Sequence, residues 1–272
     1  YPSFAKLHAT EQKVKFSELF FKIMNQIIYL TLPMAVIFIV MRVPIVRLVY
    51  GIFGGNFDWD DTLLVAGIVL FFSWGLIFEG LRTTMFRVYF AIHNSIIPLF
   101  ASIFVVIGGI ITGILFSNYF SHFNQISLQA LEFNPNYFLS KGDGVAGAAG
   151  LALSSSLVFT LEFIFLFTIL YKKKVIFGVR KFLKSLLYKL IAAMIMFVAC
   201  FLMAKLWEEI LNTTKTLQLI FLSISTIISS FMIYIWTSYM LRLEEADLLV
   251  NLLFSNLEKL VNRLKKKNVQ EG

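Results

Sequence analysis

Six long runs with almost no charge divide this chain, and they limit what it can fold into more than any motif does. They cover residues 23–41, 62–90, 96–120, 144–171, 186–206 and 216–241. A helix needs about 20 mostly apolar residues to cross a bilayer's hydrocarbon. Inside lipid every backbone polar group must be paired, so the choice is between helices and a closed barrel. Barrel strands would alternate over segments of about ten residues, and the stretch 191–203 does not alternate. The reading is an all-α polytopic membrane protein with six transmembrane helices. Pro33 falls inside the first of them, where its ring removes one backbone hydrogen bond and favours a kink.

Composition closes the alternatives. Of 272 residues, 58% are hydrophobic and 15% charged, with a mean hydropathy of +0.80. Soluble domains run near 45–50% apolar and about 25% charged, and disorder needs the opposite imbalance. Neither fits.

The basic residues fix orientation. Nineteen of the 24 Lys and Arg fall on one face: residues 1–22, Arg82 and Arg87, the cluster from Lys172 to Lys189, and the tail from Arg242 onward. That bias puts both ends in the cytoplasm and requires an even number of spans. The net charge of +8 thus reflects topology, and no nucleic-acid partner is expected. The organisation reads as a cytoplasmic loop closing a preceding helix (1–22), four helices (23–171), a basic loop (172–185), two further helices (186–241) and a tail (242–272). In the tail Ala246, Leu249, Leu253, Leu257, Leu260 and Leu264 follow helical spacing, ending in Arg263 and Lys265 to Lys267. Such a C-terminal amphipathic helix should lie on the surface against anionic membrane lipids.

No catalytic set emerges. His8, His93 and His122 lie apart, Cys200 is a lone thiol in an apolar run, and no phosphate-binding loop, nucleophile elbow or metal-ligand spacing occurs. The expectation is a transporter rather than an enzyme, with no metal and no cofactor. Ionisable residues inside spans need a partner or a wet cavity. Glu79 and Arg82, three apart, share a helical face and could pair. Arg87 lies near the cytoplasmic end, and Glu162 has no local basic neighbour. These four are the candidate substrate-pathway residues. Arg42 and Arg47 snorkel at the outer end of the first span. Small residues at four-residue spacing, Gly109 with Gly113 and Gly144 with Ala148, Ala152 and Ser156, mark helix packing. Ser223, Thr226 and Ser230 give the sixth span a similar face.

Several landmarks in order resemble the C-terminal part of the MurJ (MviN) family of lipid II flippases in the MOP exporter superfamily. They are Tyr1-Pro2-Ser3-Phe4, Leu32-Pro33-Met34-Ala35, and Pro44 to Gly51 followed by Gly55, Phe57 and Asp58. Arg87, Tyr89, Ala91 and Pro98 follow, then Gly144-Val145-Ala146-Gly147 with Gly150 to Ser155. The resemblance covers most of residues 1–171 and continues by span count. Two places depart from it: His93 to Pro98 lacks the family's acid and Thr, and the loop 121–143 is longer than expected.

The resemblance implies the last six of fourteen helices, preceded by an N-terminal lobe of the same protein. It implies a bacterial cytoplasmic (inner) membrane location and a polyprenyl-linked lipid substrate moved from inner to outer leaflet. The first four spans would belong to the second lobe, and the last two would form a groove for the polyprenyl tail. The family's cavity arginines lie largely in the other lobe, so no residue here inherits that role. Two other readings stay open: a flippase for another polyprenyl-linked polysaccharide, and a non-transporting scaffold for cell-wall enzymes.

Overall fold

The computed structural model describes residues 4, 12–50, 59–122, 146–211 and 215–247. Seven helices account for nearly all of them, with no strand among the described residues. They are α1 (Lys13–Val40), α2 (Arg42–Tyr50), α3 (Trp59–Ala91), α4 (Ile96–His122), α5 (Ala146–Lys172), α6 (Val179–Ile210) and α7 (Thr216–Met240). All except the short α2 are long and apolar enough to span a bilayer. Six spans is the number that the charge-free runs predict.

The helices outrun those apolar stretches. α1 already begins at Lys13 and α6 at Val179, because intrahelical hydrogen bonds continue into the headgroup region where lysine heads reach water. Of the tail, residues 244–247 form one helical turn that buries Ala246 beside Leu243. Residues 248–272 lie outside the described residues, and with them most of the amphipathic surface helix.

The spans form a row. α4 packs on α5, α5 on α3, α3 on α1, α1 on α6 and α6 on α7, while α2 lies against α3 and α7. α1 is central, and Phe16, Phe20, Met24 and Ile28 recur every fourth position on its buried face. Rings join three helices there: Phe20 meets Phe167 of α5, and Phe21 meets Phe182 of α6 at 5.1 Å. The outermost helix, α4, exposes Ile103, Val106, Ile107, Ile110 and Ile114, an apolar surface that lipid tolerates at no cost.

α1 continues through Pro33. A proline at that position cannot bond the carbonyl four residues back, which belongs to Tyr29. Tyr234 of α7 donates its hydroxyl to the Tyr29 carbonyl at 3.0 Å, in a buried setting, and so re-satisfies the freed group. This is the remedy that keeps proline tolerable inside a membrane helix.

Three helices stop in the same way at the charge-rich end. His93, Lys174 and Arg242 follow α3, α5 and α7 with φ of 55°, 52° and 52°. In each case the next residue's N–H reaches back five positions, to Tyr89, Leu170 and Ser238. That left-handed closure pairs carbonyls that would otherwise be orphaned at the helix end.

Candidate functional site

Glu79 and Arg82 lie on α3, one turn apart, and Glu162 lies on α5. Arg82 Nη2 and Nε donate to the two oxygens of Glu79 at 2.8 and 3.0 Å, a forked pairing. Its Nη1 donates to Glu162 Oε2 at 3.3 Å. The guanidinium also sits over the rings of Phe159 and Phe86, 4.8 and 5.4 Å from their centroids, which favours a cation. Glu162 is fully buried, whereas 42% of the Glu79 side chain is exposed. Glu162 Oε1 makes no hydrogen bond.

Two carboxylates therefore share one cation. Removing charges from water costs several kcal/mol per ion, so this cluster is poor evidence for stability and good evidence for a constraint. Arg82 is the only tie between Glu162 and a positive charge among the described ion pairs, and it locks α3 to α5. No metal-holding group of His, Cys, Asp or Glu occurs among the described residues. The chemistry on offer is charge pairing and its rearrangement.

Of the four candidates from sequence, the structure brings together three. Arg87 stays apart, on an exposed face of α3. Arg42 donates to the Ile39 carbonyl at 2.6 Å, and Arg47 lies 5.5 Å from the Trp59 ring centroid.

A second charged cluster centres on Lys189, which its sequence position beside the basic loop marks only as a loop cation. Lys189 is a fully buried residue of α6. Its Nζ donates to Asn25 Oδ1 of α1 at 2.7 Å, to Glu245 Oε1 at 3.0 Å and to Ser185 Oγ at 3.1 Å. The available signal was a lysine inside a run opening near residue 186, together with acids just past the sixth span.

The small residues of α5 serve two neighbours. Ser156 donates to the Phe71 carbonyl of α3 at 2.7 Å, and a Cβ on Gly75 would meet its Oγ at 2.5 Å. On the α4 side a Cβ on Gly150 would collide with the Phe116 carbonyl, its carbon only 2.6 Å away, and one on Gly147 would meet Ser117 Oγ at 2.6 Å. Gly113 faces Leu151, 3.3 Å from such a Cβ, while Gly109 has open space. Ala152 is buried and Ala148 half-buried; Gly144 lies outside the described residues.

The model of the family described as Lipid II flippase MurJ matches residues 1–128. The Lipid II flippase MurJ of Thermosipho africanus (strain TCF52B) is 35% identical over 89 residues, which is 33% of this chain and 18% of that protein. A solved structure titled Lipid II flippase MurJ, inward closed conformation, superposes with a TM-score of 0.62 at 23% identity. It covers 88% of this chain, which in turn spans 41% of it. At that identity the structural likeness speaks for the fold alone. The family match thus covers residues 1–128, just under half of the chain, and the six-span fold resembles that of the solved MurJ structure.

Proposed function

We propose that these residues form one lobe of a flippase that carries lipid II across the bacterial cytoplasmic membrane by alternating access. The supporting observation is the family match over residues 1–128. The physical task is to move a pyrophosphate-sugar headgroup through about 30 Å of hydrocarbon, where unpaired charge is prohibitive. A water-filled cleft between two rocking lobes removes that barrier, and the polyprenyl tail stays in lipid throughout. These 272 residues make one wall of the cleft, and the other comes from the family's N-terminal lobe.

Within this wall, Glu79, Arg82 and Glu162 are the charged set at membrane depth. Glu79 is its exposed member and the one a wet cleft would reach first. Arg87 offers a further cation nearer the charge-rich end. The last two spans, α6 and α7, expose Leu190, Met194, Val198, Ile224 and Ile228, an apolar surface suited to a polyprenyl tail. The basic bias supports a cytoplasmic position for both ends of the segment.

Complementation tests the reading. The full-length gene is expressed in a strain depleted of its own lipid II flippase, and growth with normal cell shape is expected. Failure despite normal membrane expression would reject it. Reconstituting residues 1–272 alone should give no lipid II translocation, since one cleft wall is absent; translocation by this segment would overturn the two-lobe assignment.

A further inference from the structure

A cavity of about 680 Å³ opens at the charge-rich end, bounded by the start of α1, the start of α6 and the turn after α7. Four cations line it, from three separate elements: Lys22, Lys181, Lys184 and Arg242. All four are exposed, and none forms an ion pair among the described residues. Three acids also line it, but Glu245 is taken by the buried Lys189. Glu18 and Glu244 remain, so the lining keeps an excess of positive charge.

The backbone adds to that excess. α6 starts at the cavity wall with Gly178 as its N-cap, and no side chain caps it. Uncapped first-turn N–H groups at a helix start favour an anion. The loop bearing Gly178 is pinned, because Ser17 accepts from the Phe177 N–H and donates to the Phe177 carbonyl, both at 2.7 Å.

The mouth is also apolar. Val14 and Phe177 line the cavity yet are 67% and 47% exposed, and Leu183 and Leu187 stand exposed beside Lys184 on α6. A soluble anion has no use for these side chains, whereas acyl chains do. Basic pockets between membrane helices at this depth suit lipid headgroups.

We propose that this cavity is a binding site for the phosphodiester headgroup of an anionic bilayer phospholipid, separate from any transported lipid. The assignment does not rest on the flippase reading. A bound headgroup would join the ends of α1 and α6 to the turn after α7, three elements that Lys189 already ties from below.

The test uses the purified 272-residue chain in detergent, titrated with phosphatidylglycerol or phosphatidylcholine and read by native mass spectrometry. Lys181→Gln/Lys184→Gln is compared with Lys13→Gln/Lys15→Gln, which removes equal charge from exposed positions off the cavity. Lys22→Gln repeats the test from α1, and an unchanged melting temperature certifies each variant. Phosphatidylglycerol should bind in preference to phosphatidylcholine. The cavity pair should weaken it by about 25-fold, at about fivefold per cation, and the control pair by less than about twofold. Equal loss from both pairs, or equal binding of the two lipids, would overturn the site. So would displacement of phosphatidylglycerol by millimolar inorganic phosphate, which would make it a soluble-anion site. Loss of polyprenyl diphosphate binding with phosphatidylglycerol spared would assign the cavity to the transported lipid instead.

Discussion

Tyr234 of α7 hydrogen-bonds the carbonyl of Tyr29 on α1, the one acceptor that Pro33 strips of its helical donor. Their rings also pack, with centroids 5.1 Å apart. A defect in one helix is thus mended by a residue 205 positions away. Tyr234→Phe should cost about 1–3 kcal/mol, the range for stranding a buried acceptor. Pro33→Ala restores the N–H, so the same Tyr234 change in that background should cost less. Unfolding of the four proteins in micelles measures the coupling; additive costs would show that Pro33 does not create the need for Tyr234.

Arg82→Ala leaves Glu162 buried without its cation and should destabilise by about 3–5 kcal/mol. Glu162→Gln removes the charge and keeps an acceptor for Arg82, so its cost should stay near 1 kcal/mol. Thermal unfolding followed by tryptophan fluorescence separates the two. Equal losses would mean that Arg82 acts through its packing on Phe159 and Phe86.

Lys189→Ala should also lose about 3–5 kcal/mol, since Glu245 is left largely buried without its cation and Asn25 without its donor. Glu245→Gln keeps an oxygen within reach and should cost less. Because Lys189 is out of water, raising salt to about 0.5 M should leave the difference unchanged. A salt-sensitive difference would place the pair at the surface.

Gly150→Ala drives a methyl group into the Phe116 carbonyl and should cost about 1–3 kcal/mol. Gly109→Ala meets open space and should be neutral or slightly stabilising, as alanine is the better helix former. Both are read by the unfolding midpoint. The reverse order would place the tight seam elsewhere on α4.

Topology can be read with one thiol at a time, since Cys200 is buried and should not react with a membrane-impermeant maleimide. Lys173→Cys should label only after cells are permeabilised, and Lys215→Cys in intact cells. Labelling in the opposite pattern would invert the proposed sidedness.

The six spans were legible because apolar run length maps directly onto bilayer thickness. Glu79 with Arg82 was also legible, since helical geometry fixes neighbours three positions apart. The partner of Glu162 was not: Arg82 lies 80 positions away, and only the packing of α5 on α3 joins them. Lys189 was hidden for a related reason. A lysine near a span end reads as a loop cation unless the helix is known to start at Val179 and Glu245 is known to fold back. The four-residue stripe on α5 pointed to a packed helix, but α5 touches two helices. Ser156 turns toward α3, and the closest approach to α4 falls on Gly147 and Gly150, one turn apart.

The Gly150 approach to Phe116 has a mechanical meaning. Main chain rests on main chain there, with no layer of side chains to shear or repack, so α4 and α5 should travel as a single plank. Whatever swing the bundle makes has to be taken up where cushions exist, as at the Phe21–Phe182 contact between α1 and α6, whose rings can slide past one another.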